Sequence, residues 1–124
     1  MSNGKKILLV EDDRLLSDLY KEILGSADYE VEIVTDGFKA EEAMKQGGYD
    51  LVLLDVMMPQ RSGIEILESL SGKEKERCGK IVMFSNMPFE DLPEHSAKLG
   101  VAAFLNKFKL DPGQLLAKIE ALLK

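Results

Sequence analysis

The residues from Asp50 to Pro59, DLVLLDVMMP, constrain this chain more than any others. Four apolar residues in succession, Leu51 to Leu54, show no polar alternation. That is the pattern of a strand covered on both faces, as a central strand of a parallel sheet must be. Asp55 then stands at the strand's carboxyl end, the edge at which the loops leaving an open α/β sheet form a ligand crevice. Pro59 cannot extend a central strand, so the chain turns out of the sheet just after the acid. A carboxylate at the mouth of a buried strand calls for a chemical reason.

The rest of the chain supplies the same arrangement repeatedly. Residues 6–10 form a second buried-strand pattern, ending in Glu11-Asp12-Asp13. Leu15, Leu16, Leu19, Tyr20, Ile23 and Leu24 then recur as the stripe of an amphipathic helix, with Gly25 as its expected stop. Residues 31–34 read as a sheet-edge strand, and Asp36-Gly37 opens a modest helix with Ala40, Ala43 and Met44 inside and Gly47-Gly48 at its end. Ile64, Leu67 and Leu70 fit a third helix. The charged stretch from Lys73 to Arg77 reads as a solvated turn, and Cys78 beside it as an incidental thiol without partner cysteines. A fourth strand over 81–84 ends at Ser85. Pro88 and Pro93 interrupt the next segment, so only a short helix near Pro93 is expected, with Leu92, Ala97 and Leu99 facing inward. Residues 101–105 form a fifth strand, and Lys107 comes just after it. Asp111 as N-cap and Pro112 at the first helical position start a last helix, with Leu115, Leu116, Ile119, Leu122 and Leu123 on its inner side.

Strand and helix alternating five times predict an α/β fold with a parallel sheet and helices on both faces. At 124 residues and 45% hydrophobic content, the chain suits one core and not two. No apolar run reaches the ~20 residues needed to span a bilayer and no signal-peptide pattern precedes the first strand, so a soluble, cytoplasmic protein is expected. A net charge of -6 argues against general attraction to nucleic acid or to anionic membrane.

Because every strand runs the same way, one sheet edge receives Glu11 and Asp12 with the adjoining Asp13, then Asp55, Ser85 and Lys107. Clustered carboxylates repel one another and favour protonation unless a cation joins them. An all-oxygen site of a few carboxylates and waters suits Mg²⁺, which typically shares its shell with a phosphate oxygen. A lysine and a hydroxyl beside it complete a phosphate pocket, and Asp55 is placed to act as a nucleophile.

With those residues in view, the chain resembles the receiver domains of two-component response regulators over nearly its whole length. The matching pieces are ILLVEDD at the first strand, DLVLLDVMMP with Gly63 at the third, Ser85 at the fourth and AFLNK at the fifth. The resemblance implies a flavodoxin-like, doubly wound five-stranded sheet of order 2-1-3-4-5, and a single receiver domain over 1–124, ordered from about residue 5, with no effector domain. It implies that Asp55 accepts a phosphoryl group from a histidine kinase or histidine phosphotransfer protein. Glu11, Asp12, Asp55 and the main-chain carbonyl of Met57 would hold Mg²⁺, Ser85 would contact the phosphoryl oxygens, and Lys107 would pair with them. Phe104 matches the switch aromatic that responds to movement of the Ser85 loop. Such a domain is a signalling module rather than an enzyme on a separate substrate. It catalyses its own phosphorylation and slow dephosphorylation, controls a downstream effector protein, and in some settings dimerises on phosphorylation.

The departures from the family pattern are specific. Phe108 replaces the proline usual after the lysine, which weakens the expectation of a cis peptide, since a non-proline cis bond costs ~2.5–4 kcal/mol. Asn86 stands where alanine or glycine is usual, and Met57 and Met87 occupy positions that commonly orient water. Asp13 reads as a helix-start acid rather than a metal ligand, His95 as a solvated surface residue, and the methionines as packing. Two other classes are weighed against the receiver. A docking module unregulated by phosphorylation predicts a damaged acid site, and this one is intact. A phosphohydrolase predicts a second acid two residues after the nucleophile, where this chain has Met57.

Overall fold

The computed structural model describes residues 4–124, save for the side chain of Phe89, and residues 1–3 of the expected domain lie outside the described residues. Strands β1 (Lys6–Val10), β2 (Glu30–Val34), β3 (Leu51–Leu54), β4 (Lys80–Ser85) and β5 (Ala103–Asn106) form one sheet in the order β2-β1-β3-β4-β5. Every pairing is parallel. The helices are α1 (Arg14–Ser26), α2 (Gly37–Gln46), α3 (Gly63–Ser69), α4 (Gly72–Glu76) and α5 (Pro112–Leu122). β3 is central and all four of its residues are buried, which explains its unbroken apolar run.

Alternate residues of the strands build two cores. Leu8, Val10, Val52, Leu54, Ile81 and Met83 point to the face covered by α2 and α3, where Ala40, Met44, Ile64 and Leu67 meet them. Ile7, Leu9, Leu51, Leu53, Val82 and Phe84 point to the other face, against Tyr20 and Leu24 of α1 and Leu115 and Ile119 of α5. Full burial of each such aliphatic side chain is worth about 1.5–3 kcal/mol. The five-stranded doubly wound sheet is as expected.

Several local expectations are corrected. In α1 the buried residues are Ser17, Tyr20 and Leu24, whereas Leu15 is 82% and Leu19 48% exposed. At 100° per residue Leu15 and Leu19 lie beyond the arc centred on Tyr20, so six apolar residues make a band too wide for one face. Gly25 does not stop the helix: it continues through Ser26, and Asp28 adopts the left-handed conformation (φ 67°) that ends it. The charged turn is a short helix, α4, because Ser71 and Glu74 cap each other reciprocally. Cys78 beyond it is fully buried, and its thiol donates to the carbonyl of Met44 at 3.2 Å, so it is part of the core rather than incidental.

Between β4 and β5 no α-helix forms. The chain makes two 3₁₀ segments, Phe89–Asp91 and Glu94–Lys98, and the inward residue of the second is Ser96 rather than Ala97. Pro88 and Pro93 supply no N–H, so neither can join an α-helical ladder from within, and their carbonyls instead accept the short turn bonds from Asp91 and Ser96. β5 starts at Ala103, two residues later than expected, and ends on Asn106.

Candidate functional site

The carboxyl ends of β1, β3, β4 and β5 deliver the expected residues to one edge of the sheet, where Glu11, Asp12, Asp55 and Lys107 meet. Glu11 follows β1 and is 1% exposed, Asp55 follows β3 at 6%, Ser85 closes β4 at 4%, and Lys107, one residue past β5, is 6% exposed. Asp12 is exposed beside them. One oxygen from each of Glu11, Asp12 and Asp55 lies within 4.8 Å of the other two. Asp13 is not part of this group: it is the N-cap of α1, accepting from the Leu16 amide at 3.1 Å. An open cleft of about 450 Å³ beside the acids is lined by Asp12, Met57, Met58, Pro59, Ser62 and Met87.

Lys107 ties the centre together. Its Nζ donates to Asp55 Oδ2 at 2.8 Å and also to Glu11 Oε1. The ammonium lies 5.6 Å from the ring centroid of Phe84, which in turn makes an edge-on contact with Tyr20 at 4.9 Å. This aromatic floor is not legible in the sequence as part of the site, because Phe84 and Tyr20 each read as ordinary strand and helix apolar positions. Burial alone would push the Lys107 pKa down, but its bonds to Asp55 and Glu11 outweigh that and raise it. Burial raises the pKa of Glu11, and Lys107 only partly opposes this. Lys107 therefore keeps its charge while burial works against the charge on Glu11, so a further cation beside the acids would be favoured.

Asp55 is oriented by the loop that it begins. Its Oδ1 accepts from the Met57 amide at 3.0 Å, which fixes the start of the loop, and the Met57 side chain is 59% exposed. The loop closes on itself where Gly63 N–H donates to the Val56 carbonyl at 2.9 Å. A Cβ at position 63 would stand 2.4 Å from the Asp55 carbonyl oxygen, so only glycine permits α3 to start this close to the acid. The Ser85 hydroxyl accepts from the Met87 amide at 3.3 Å, linking the end of β4 to the loop after it. Phe104, half-buried in β5, lines a separate cavity of about 350 Å³ with Leu92, Pro93 and Ser96. After Lys107 the chain makes a 3₁₀ turn capped by Asn106, whose Oδ1 accepts from the Phe108 amide, and no cis peptide occurs among the described residues. His95 is half-exposed and meets Glu68 of α3 at 3.4 Å, away from the acids.

The three carboxylate oxygens, all hard donors and one of them on an exposed residue, fit a small divalent cation such as Mg²⁺ better than a soft transition metal. A doubly wound α/β domain with an acidic, lysine-bridged site at its strand ends is the class that these features define. The response regulator receiver domain model matches residues 7–120, and the chain belongs to that family. The transcriptional regulatory protein GltR of Pseudomonas aeruginosa is 31% identical over 123 residues, 99% of this chain and 50% of that protein. CiaR of Streptococcus pneumoniae is 36% identical, covering 96% of this chain and 51% of that protein. The chain thus spans about half the length of the curated relatives it matches. Among solved structures, a CheY-like receiver domain from Methanospirillum hungatei superposes with a TM-score of 0.83 at 30% identity, covering 96% of this chain and 93% of that one. TrrA from Thermotoga maritima, solved in complex with Mg²⁺ and BeF, superposes at 0.79 with 31% identity, covering 96% and 99%. Among the described residues no helix is long and apolar enough to cross a membrane.

Proposed function

We propose that Asp55 is the phosphoacceptor of a two-component signalling domain, and that Glu11, Asp12, Asp55 and the main-chain carbonyl of Met57 hold the Mg²⁺ that the reaction requires. The observation that carries this reading is the meeting of Glu11, Asp12, Asp55 and Lys107 at one edge of the sheet. Bound there, Mg²⁺ would offset the carboxylate charge and screen an incoming phosphoryl group.

An Asp55 carboxylate oxygen donates an electron pair to phosphorus while the P–N bond of a phosphohistidine breaks. The bonding pair leaves with the imidazole, which takes up a proton. Lys107 is held against Asp55 Oδ2 by its contact with Glu11, so its ammonium is already placed to balance the phosphoryl charge. Ser85, buried at the end of β4, has one hydroxyl to donate to a phosphoryl oxygen. That donation draws the Met87 loop with it, because the same hydroxyl accepts the Met87 amide. Phe104 then turns toward the space vacated behind the loop, and the populations of two conformations shift.

In this reading the 124 residues make one receiver domain that acts in the cytoplasm. The donor is a histidine kinase or histidine phosphotransfer protein, and the recipient of the signal is a downstream effector or a second phosphorylated copy. The domain catalyses its own phosphorylation and a slow dephosphorylation. Intact mass after incubation with Mg²⁺ and acetyl phosphate tests the proposal. Gain of one phosphoryl group by the wild type and none by Asp55→Asn is the expected result, and an unmodified wild type would overturn it.

A further inference from the structure

We infer that Arg61 is a positioning residue that holds the loop after Asp55 against α2 and thereby sets the affinity of the acidic site for Mg²⁺; this rests on the metal assignment proposed above. The loop from Val56 to Ser62 carries the Met57 carbonyl, and its outer half is held by one turn bond of its own and by contacts to the helices on either side. Gln60 sits at φ 73°, the centre of a tight turn in which the Arg61 amide donates to the Pro59 carbonyl at 2.8 Å, a strained conformation that contacts from outside help to keep. The contacts on the far side of the turn come from α2.

Two features of α2 meet the loop independently. Gly37, the first residue of the helix, donates to the Pro59 carbonyl at 3.3 Å, and a Cβ on it would fall 2.2 Å from the Arg61 carbonyl oxygen. One turn on, Glu41 receives the Arg61 guanidinium. Nη2 donates to Oε1 at 3.3 Å, and Nε lies 3.2 Å from Oε2, although its N–H is not aimed at that oxygen. Both side chains are largely covered, at 24% and 15% exposure, so water screens this pair less than an ordinary surface one. The fork is braced further. Arg61 Nη2 also donates to the Glu65 carbonyl at 3.2 Å, Nη1 is 3.8 Å from the Glu65 carboxylate, and Ser69 Oγ donates to Glu41 Oε1.

Arg61 therefore joins α2, the loop and the first turn of α3, the helix whose start is locked to the Asp55 carbonyl through Gly63. Between those anchors, Met57 and Met58 span the edge of the acidic cleft. Releasing the outer anchor lets the Met57 carbonyl wander while Glu11, Asp12 and Asp55 stay on their strands. The expected consequence is a loss of metal affinity with the fold and the nucleophile intact.

The test is titration of the full chain with MgCl₂ alone, without a phosphodonor, monitoring the backbone amide shifts of residues 55–58. Arg61→Ala and Glu41→Gln should each weaken Mg²⁺ binding by about three- to tenfold, somewhat less than the roughly 10–100-fold usual for partners that touch a metal ligand directly, because Arg61 acts through the loop. The two together should weaken it no more than either alone. The swapped pair Arg61→Glu/Glu41→Arg keeps the net charge and should restore most of the affinity, which a purely global destabilisation would not do. Phosphorylation by acetyl phosphate should be slowed in Arg61→Ala at limiting Mg²⁺ and recover at saturating Mg²⁺. Wild-type affinity in both single variants, or a swapped pair no better than Arg61→Ala, overturns the inference while leaving the metal site standing. A wild type whose residue 55–58 amides ignore Mg²⁺ overturns the metal assignment itself.

Discussion

Lys107→Met removes the one cation that, among the described residues, contacts the two buried carboxylates, while keeping a side chain of similar length over Phe84. At 2.8 Å and an effective dielectric of about 20, the contact with Asp55 alone amounts to roughly 6 kcal/mol of gross attraction. Much of that is cancelled by the cost of desolvating the ammonium, so the useful figure is the cost of leaving buried partners unpaired, about 3–5 kcal/mol. The loss has a ceiling, because Glu11, whose pKa burial already raises, can take a proton once the lysine is gone. Near neutral pH we expect the variant to lose about 3 kcal/mol, a fall in Tm on the order of 10 °C for a domain of this size. Urea denaturation monitored by circular dichroism, with unchanged m, measures it. Mg²⁺ should stabilise the variant more than the wild type, since the ion then supplies the missing positive charge. Adding Glu11→Gln should recover at least half of the loss. A cost below about 1 kcal/mol, or one that is the same with and without Glu11→Gln, would refute the view that Lys107 acts as an internal counterion.

Asp12 is exposed but lies within the acid cluster, so Asp12→Ala should raise stability without metal by a few tenths to about 1 kcal/mol through relief of repulsion, and should abolish phosphorylation; a variant that unfolds more easily and still phosphorylates would contradict both halves. Met57 and Met87 flank the cleft with thioethers that are at best weak acceptors for a hydrolytic water, so the phosphoryl group should be long-lived and Met57→Asn should shorten its life; decay of phosphoprotein after donor removal, unchanged by the substitution, would rule out this shielding. Burial pushes the Cys78 thiol up to about 11, above its unfolded value of 9.0, so its contribution to stability is complete below pH 9 and is lost as pH climbs through the folded pKa. Cys78→Ala should flatten that alkaline decline, and labelling of wild-type Cys78 by a thiol reagent at pH 8 should proceed no faster than unfolding exposes it.

How far the sequence can be read depends on the range of the interactions. β3 with Asp55, the Asp111-Pro112 start of α5 and the edge position of β2 come from local chemistry, and the structure has them as read. The site residues are legible because parallel strands bring their ends to one edge, an inference that needs only strand direction. Their contacts are not: Lys107 meets Glu11 across 96 positions and Asp55 across 52, and only the assembled sheet shows that one ammonium serves both. α1 resists reading for a different reason. Counting apolar residues does not say which arc faces the sheet, and Ser17 lies inward where Leu15 does not. The reciprocal Ser71 and Glu74 cap that makes α4 is visible as a short motif but lies hidden in a charged run, and Arg61, which meets Glu41 of α2 across 20 positions, has no local signature.

The two 3₁₀ segments before β5 bear on how a signal could leave this domain. An α-helix is a cooperative object, whose internal bonds form and fail together once nucleated. Here the chain is pinned by separate short bonds, Asp91 to Pro88, Ser96 to Pro93 and Leu99 to Ser96, each spanning only a few residues. Short bonds of this kind lack the reach of an α-helical ladder, so the wall of the Phe104 cavity is more easily loosened than a helix would be. Output from this face would then be tuned by how easily the segment lets go, with partners of differing grip each shifting the balance between the two conformations by a different amount.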